Sequence, residues 1–169
     1  MSIESDVVLP VTPAYIELFQ LDLSSIPALA GLIYYFTPSS YASLVWGGQT
    51  YLPWAIKLEG VSTSSDGAPA RPLLTFGNLD ANKLIGTLVF TNSDIIGAKV
   101  KYIRTFESYL NTSLSLPQIT YTVGRKTIHN AGIVQFELRS PLDKERGYLP
   151  NRQILKKDFP GTGLSKGIR

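Results

Sequence analysis

The sequence contains no cysteine and a single histidine among 169 residues. The first absence excludes disulfide frameworks, thiol nucleophiles, cysteine-built zinc sites and thiolate-ligated iron-sulfur clusters. The second excludes a His-rich metal centre, so no metal or cofactor is expected. Charge is scarce as well: 17% of residues are Asp, Glu, Lys or Arg, against about 25% in an average domain. A surface this poor in charge points to extensive contact with other proteins. Long apolar runs are also missing. The most apolar stretch, Ile26 to Phe36, is interrupted by Pro27 and Gly31 and is about half the length of a membrane-spanning helix, so it reads as core. Met1 to Pro10 carries Glu4 and Asp6 and no basic stretch, so no signal peptide is expected, and the protein reads as soluble and made in a cytoplasm.

What is present favours β-structure. There are 2 Trp, 9 Tyr, 7 Phe, 14 Gly and 11 Pro, together with many Val, Ile and Thr, the mix of short strands joined by punctuated turns. Thr12 to Leu23 alternates with period two. Tyr15, Glu17, Phe19, Leu21 and Leu23 take one face, and Ile16, Leu18, Gln20 and Asp22 the other. Leu32 to Thr37 is a further strand ended by Pro38. Ala42 to Trp46 and Gln49 to Leu52 flank Gly47-Gly48, a hairpin signal because both central positions of the turn can need positive φ. Trp54 to Gly60 continues as a strand, and Val61 to Pro69 is a loop by composition.

Leu73 to Phe76 resumes the strands. A helix is expected over Ala81 to Phe90, with Asn78 or Asp80 as cap, although Gly86 weakens it. In Gly97 to Phe106, Ala98, Val100, Tyr102 and Arg104 share one face, while Lys99 and Lys101 mark the other, with Ile103 and Thr105, as the wet side. Ile119 to Val123 and Ile133 to Leu138 read as a strand pair around a Gly124 to Gly132 connection, and Pro141 to Gly147 as a short helical turn. Seven to nine strands at roughly ten-residue spacing, with one or two short helices, predict a single β-barrel or barrel-like sandwich. The expected division is a barrel over residues 1–147 and an extended arm over 148–169.

Charge separates these two parts. From Arg139 onward eight basic residues face three acidic ones, a net of +5, while the preceding body sums to −2. A basic tail can meet an anionic partner or serve as a solvated extension. Nucleic acid is disfavoured, because after Leu138 only Tyr148 and Phe159 could stack on bases. Catalysis finds little support. His129 has no nucleophile elbow to serve and reads as a loop or strand-end residue. Asp66-Gly67 reads as a turn, and Gly161-Thr162-Gly163 neither follows a strand nor precedes a helix. Glu59 and Glu137 are the best carboxylates for a partly buried site, yet Glu137 alternates with Phe136 and Leu138 and should face outward. Tyr34-Tyr35, Trp46, Tyr51 and Trp54 could stack on a sugar or base, but aromatics around a hairpin more often form core and cross-strand pairs. A small barrel binding nucleic acid or glycan is the alternative functional reading.

Three ordered segments carry a family resemblance. They are W-G-G-Q-T-Y-L-P-W-A-I-K-L-E-G (Trp46 to Gly60) with G-A-P-A-R-P-L-L-T-F-G-N (Gly67 to Asn78), then D-I-I-G-A-K-V-K-Y-I-R-T-F (Asp94 to Phe106), then V-Q-F-E-L-R-S-P (Val134 to Pro141) with L-P-N-R-Q (Leu149 to Gln153). Together they resemble the minor tail protein L family of lambda-like long-tailed phages. The resemblance implies a structural component of the tail tip or baseplate hub. It would be a three-membered ring between a distal tail ring and a central hub or fibre protein, near the tape measure, in the virion and made in the host cytoplasm. Family members continue into a C-terminal domain whose cysteines hold an iron-sulfur cluster. Here 16 residues remain after Gln153 and none is cysteine, so the cluster is not carried over and the chain reads as the N-terminal β-domain with a basic arm. Tyr148, Arg152, Lys156, Lys157 and Phe159 are the expected docking residues of that arm, pairing charge with an aromatic plug.

Overall fold

A computed structural model of the chain describes residues 14–39, 42–61, 71–78, 84–141 and 143. Nine strands form it: β1 (Tyr15–Asp22), β2 (Ile33–Thr37), β3 (Leu44–Trp46), β4 (Gln49–Pro53), β5 (Ile56–Glu59), β6 (Leu73–Gly77), β7 (Lys99–Phe106), β8 (Ile119–His129) and β9 (Ile133–Arg139), with one helix, α1 (Leu84–Thr91). They make one mixed sheet in the order β3-β4-β2-β1-β7-β8-β9-β6-β5. Every pairing is antiparallel except β2 with β4, where Phe36 lies opposite Leu52. The sheet does not close by pairing β3 with β5. It curls until its two halves meet through side chains, Phe36 of β2 lying 6.0 Å from Phe76 of β6 and 5.3 Å from Trp54. The barrel-like sandwich expected from strand spacing is therefore the form adopted.

The local sequence explains most elements. Gly47 and Gly48 take φ of +59° and +75°, turning β3 into β4 as the Gly-Gly pair requires. Between β1 and β2, Leu23 N donates to Leu32 O at 3.0 Å and Pro27 opens a short 3-10 turn. Its fixed φ and missing N–H suit that first position. The run Ile26 to Phe36 is thus a turn followed by a strand, and among the described residues no helix is long and apolar enough to cross a membrane.

Alternation builds one main core. Phe19, Leu21, Phe36, Leu74, Phe76, Val100, Val123, Val134, Phe136 and Leu138 point inward, and α1 closes the remaining side with Ile85 and Val89. Each such side chain contributes about 1.5–3 kcal/mol relative to leaving it exposed. The opposite face of β1 and β7 is also covered. Ile16, Leu18 and Ile103 pack with Trp46 and Tyr51 of the β3–β4 hairpin and with Leu110, forming a second, smaller core. This corrects the expectation for β7: Lys99 and Lys101 face solvent, but Ile103 and Thr105 on that same face are 1% and 0% exposed.

One further expectation changes. Gly124 does not end a strand, because β8 runs on to His129 through irregularities between Val123 and Arg125 and between Lys126 and Ile128. The turn is only Asn130 to Gly132, where Asn130 Oδ1 accepts from the N–H groups of Gly132 and Ile133 at 2.9 and 2.8 Å. Among the described residues the helix runs from Leu84, and the Asn78 side chain, one of its two expected caps, accepts from its first described turn. Gly86 N donates to Asn78 Oδ1 at 3.2 Å, and Asn78 Nδ2 donates to Asn130 O at 3.4 Å. Gly86 is required for this arrangement, since a Cβ there would sit 2.7 Å from the buried Asn78 amide. Asp80 and most of the 141–147 turn lie outside the described residues.

Candidate docking surfaces

The aromatic residues weighed as a stacking platform belong to the cores. Tyr34 stacks on Phe36 at 6.0 Å, and Tyr51 meets Tyr35 and Trp46 edge-on at 5.2 and 6.4 Å. Trp54 packs on Phe36 and donates its Nε1–H to Gly77 O at 3.0 Å. Burial, reinforced by neighbouring Tyr35, pushes the Tyr51 hydroxyl up to about 12. Tyr102, whose hydroxyl donates to the Glu17 carboxylate, is pushed up mainly by burial and then by that bond. Arg104 lies over the Tyr102 ring at 5.7 Å. In the Arg-Thr-Phe segment, Thr105 Oγ1 donates to Leu114 O at 2.7 Å and Phe106 meets Tyr15 edge-on at 6.0 Å. The motif thus holds the 107–118 connection and the second core together.

The candidate catalytic groups are dispersed. His129 is exposed at the end of β8, its Nδ1 3.5 Å from Lys126 Nζ, and Lys126 pairs with Asp94 of the turn before β7. Glu59 does not occupy a partly buried site: it is half exposed and paired with Lys57 at 2.7 Å. Glu137 faces outward as its alternation requires, yet only 13% of its side chain is exposed, because Arg71 and Arg125 approach it at 3.4 and 2.8 Å. Asp66-Gly67 and Gly161 to Gly163 lie outside the described residues.

Arg71 also grips Asp143, its Nε 2.9 Å from Oδ2 and its Nη2 3.3 Å from Oδ1. Such two-point pairing fixes direction as well as distance, and it raises the Arg71 guanidinium further, with the Asp143 bond as the largest cause. Asp143 is thereby tied to the approach to β6. Tyr148, Arg152, Lys156, Lys157 and Phe159 themselves lie outside the described residues.

Sequence reasoning missed Phe90, which is 86% exposed on α1. A helical wheel could have found it, because one step beyond core-facing Val89 turns a side chain by about 100°. It borders one groove, and a second lies at the end of the same helix. One, of 460 Å³, runs between Gly86, Thr87, Phe90 and the Asn130-Ala131 turn; the other, of 430 Å³, runs between Thr91, Ile96 and the Ile26 to Ala28 turn. The described surfaces therefore offer contact, with charge on one side and apolar relief on another.

A family model described as phage minor tail protein L matches residues 29–162. Among solved structures, a chain in the virion of a native gene transfer agent particle aligns with a TM-score of 0.63 at 16% sequence identity, covering 87% of this chain and 48% of that one. This chain spans about half the length of that relative, and at such identity the likeness is one of fold.

Proposed function

The chain belongs to the phage minor tail protein L family, and from that premise we propose that three copies form a ring in the tail tip, between the distal tail ring and the central hub or fibre protein. As a member of that family it is a structural component of the phage tail, and its place is the virion. The family match carries the reading, and the geometry supports it. A 17% charged composition suits permanent contacts with neighbouring proteins. Aromatic rings committed to two cores are poor platforms for a base or sugar, which favours the tail over an oligonucleotide- or glycan-binding barrel. The role assigned needs no reaction, and we assign none.

In this reading residues 1–147 are the hub domain and 148–169 an arm, made in the host cytoplasm and ordered on a neighbour during assembly. Arg152, Lys156, Lys157, Tyr148 and Phe159 supply its contacts. Quantitative mass spectrometry and electron cryomicroscopy of purified particles test the ring: three copies at the tip are expected, and another number or position refutes it. A chain ended after Leu149 should unfold at the same urea concentration as the full chain yet be absent from particles. Normal incorporation of the truncated chain would refute the arm's role.

A further inference from the structure

The two ends of the main core are finished differently. Strand register places Asp22, Gly77, Lys99 and His129 at one end, where α1 packs Ile85 and Val89 into the core. Tyr15, Phe106 and Ile119 stand at the other, and nothing from the 107–118 connection joins that core. The inner face there finishes in polar groups instead. Glu17 lies opposite Arg104 across the β1–β7 pair, but its carboxylate accepts from the Tyr102 hydroxyl. Arg104 lies over the Tyr102 ring at 5.7 Å. Burial pushes the Tyr121 hydroxyl up, and Arg104 is near enough to counter part of that push. Among the described residues no carboxylate forms an ion pair with Arg104, and its buried Nε has no acceptor. An N–H shut away from water costs stability until an acceptor reaches it.

We propose that the acidic segment before β1, residues 1–13, folds back over this end of its own domain and sets the carboxylate of Glu4 or Asp6 on Arg104. Charge selects that segment. It holds two carboxylates and no Lys or Arg, whereas the stretch from Arg139 onward, at +5, would bring like charge to a cation. Position selects it as well: Ala14 O accepts from Glu107 N at 3.0 Å, so the segment joins the domain at the rim where Arg104 sits. Asp6 lies eight residues before Ala14, up to about 26 Å of chain, and facing sheets stand about 10 Å apart, so the reach suffices. Val7, Val8, Leu9 and Val11 would then lie over an aromatic rim in which Tyr15 is 44% exposed, doing at this end what Ile85 and Val89 do at the other. A guanidinium that meets a carboxylate through two N–H groups is directional, so the pair fixes where the segment lies and not only that it is attracted. Being made within one chain, the contact is independent of copy number in the ring.

The absence of cysteine makes the test direct. Ser5→Cys places a single thiol between the two acids, and a nitroxide attached to it broadens the amide signals of whatever it approaches in the purified full-length chain. Loss of the Arg104 and Tyr121 signals is expected, with those of Thr87 and Phe90 on α1 retained. The tether alone keeps residue 5 near this end, so the deciding comparison removes the charges. Glu4→Gln with Asp6→Asn, or Arg104→Gln by itself, should return the Tyr121 signal to the intensity seen with a diamagnetic label, while Asp66→Asn, which neutralises the one acid of the 62–70 loop, should change nothing. If Arg104→Gln fails to fold, the segment variants alter neither described core and decide alone. Signals that are never lost, a loss that survives neutralisation of both acids, recovery with Asp66→Asn, or broadening passed to an unlabelled copy mixed into the sample would each overturn the contact.

Discussion

Gly86→Ala sets helix propensity against packing, and packing should win. Alanine in a helix interior is favoured over glycine by about 1 kcal/mol. Against that gain stands the Asn78 side chain, 4% exposed, whose Oδ1 and Nδ2 would each lie 2.7 Å from the added Cβ. Rotating Asn78 away relieves the clash only by giving up its bonds to Gly86 N and Asn130 O. Leaving buried polar groups unpaired costs about 1–3 kcal/mol per group. With both bonds given up, the net expectation is a loss of about 1–5 kcal/mol in urea unfolding, seen as a lower midpoint at unchanged slope. The same substitution in an Asn78→Ala background removes the clash and should stabilise by up to about 1 kcal/mol, reversing sign. A gain in stability from Gly86→Ala alone would show that Asn78 does not dictate the glycine.

Three further outcomes follow from the packing. Gly77→Ala brings a Cβ to 2.8 Å from Ala55 Cβ and 3.3 Å from its carbonyl oxygen, and overpacking of that kind costs about 1–3 kcal/mol; Ala55→Gly in the same chain should restore most of it, measured by thermal unfolding. The Tyr51 hydroxyl titrates near 12 when folded and near 10 when unfolded, so the unfolded chain loses its proton first and stability falls as pH rises from 10 to 12, by about 3 kcal/mol at 1.36 kcal/mol per unit. Tyr51→Phe should flatten that alkaline fall in urea titrations, and an unchanged slope would count against the buried phenol. Glu137→Gln removes the charge shared by Arg71 and Arg125, whose side chains are 54% and 73% exposed, so the loss should be about 1 kcal/mol and should shrink when both proteins are compared in high salt.

Much of the fold is written in short-range pattern. Alternation from Val134 to Leu138 assigns β9's faces, and Gly47-Gly48 marks its hairpin without help from the rest of the chain. The failures share one cause, contact between residues distant in sequence. Two lysines made the outer face of β7 look wet, but the β3–β4 hairpin folds over Ile103 from more than fifty residues away. Gly124 looked like the end of a strand because a bulge and a turn both use glycine, and only the pairing with Glu137 distinguishes them. Gly86 argued against the helix until Asn78 was seen beside it. The Arg71–Glu137–Arg125 cluster depends on the register of three strands, which local pattern does not encode. Of the candidate contact residues, the arm was legible as charge and Phe90 only as the last turn of a helix.

β1 is a party wall. Phe19, Leu21 and Leu23 belong to the large core and Ile16 and Leu18 to the small one, so neither compartment keeps its fourth side if the strand is withdrawn. The small core alone is too little to hold a folded unit together, and the large one cannot shed it without exposing the back of its own central strand. Damage on either side of the wall should therefore be felt by both, and the domain is expected to give way in one step.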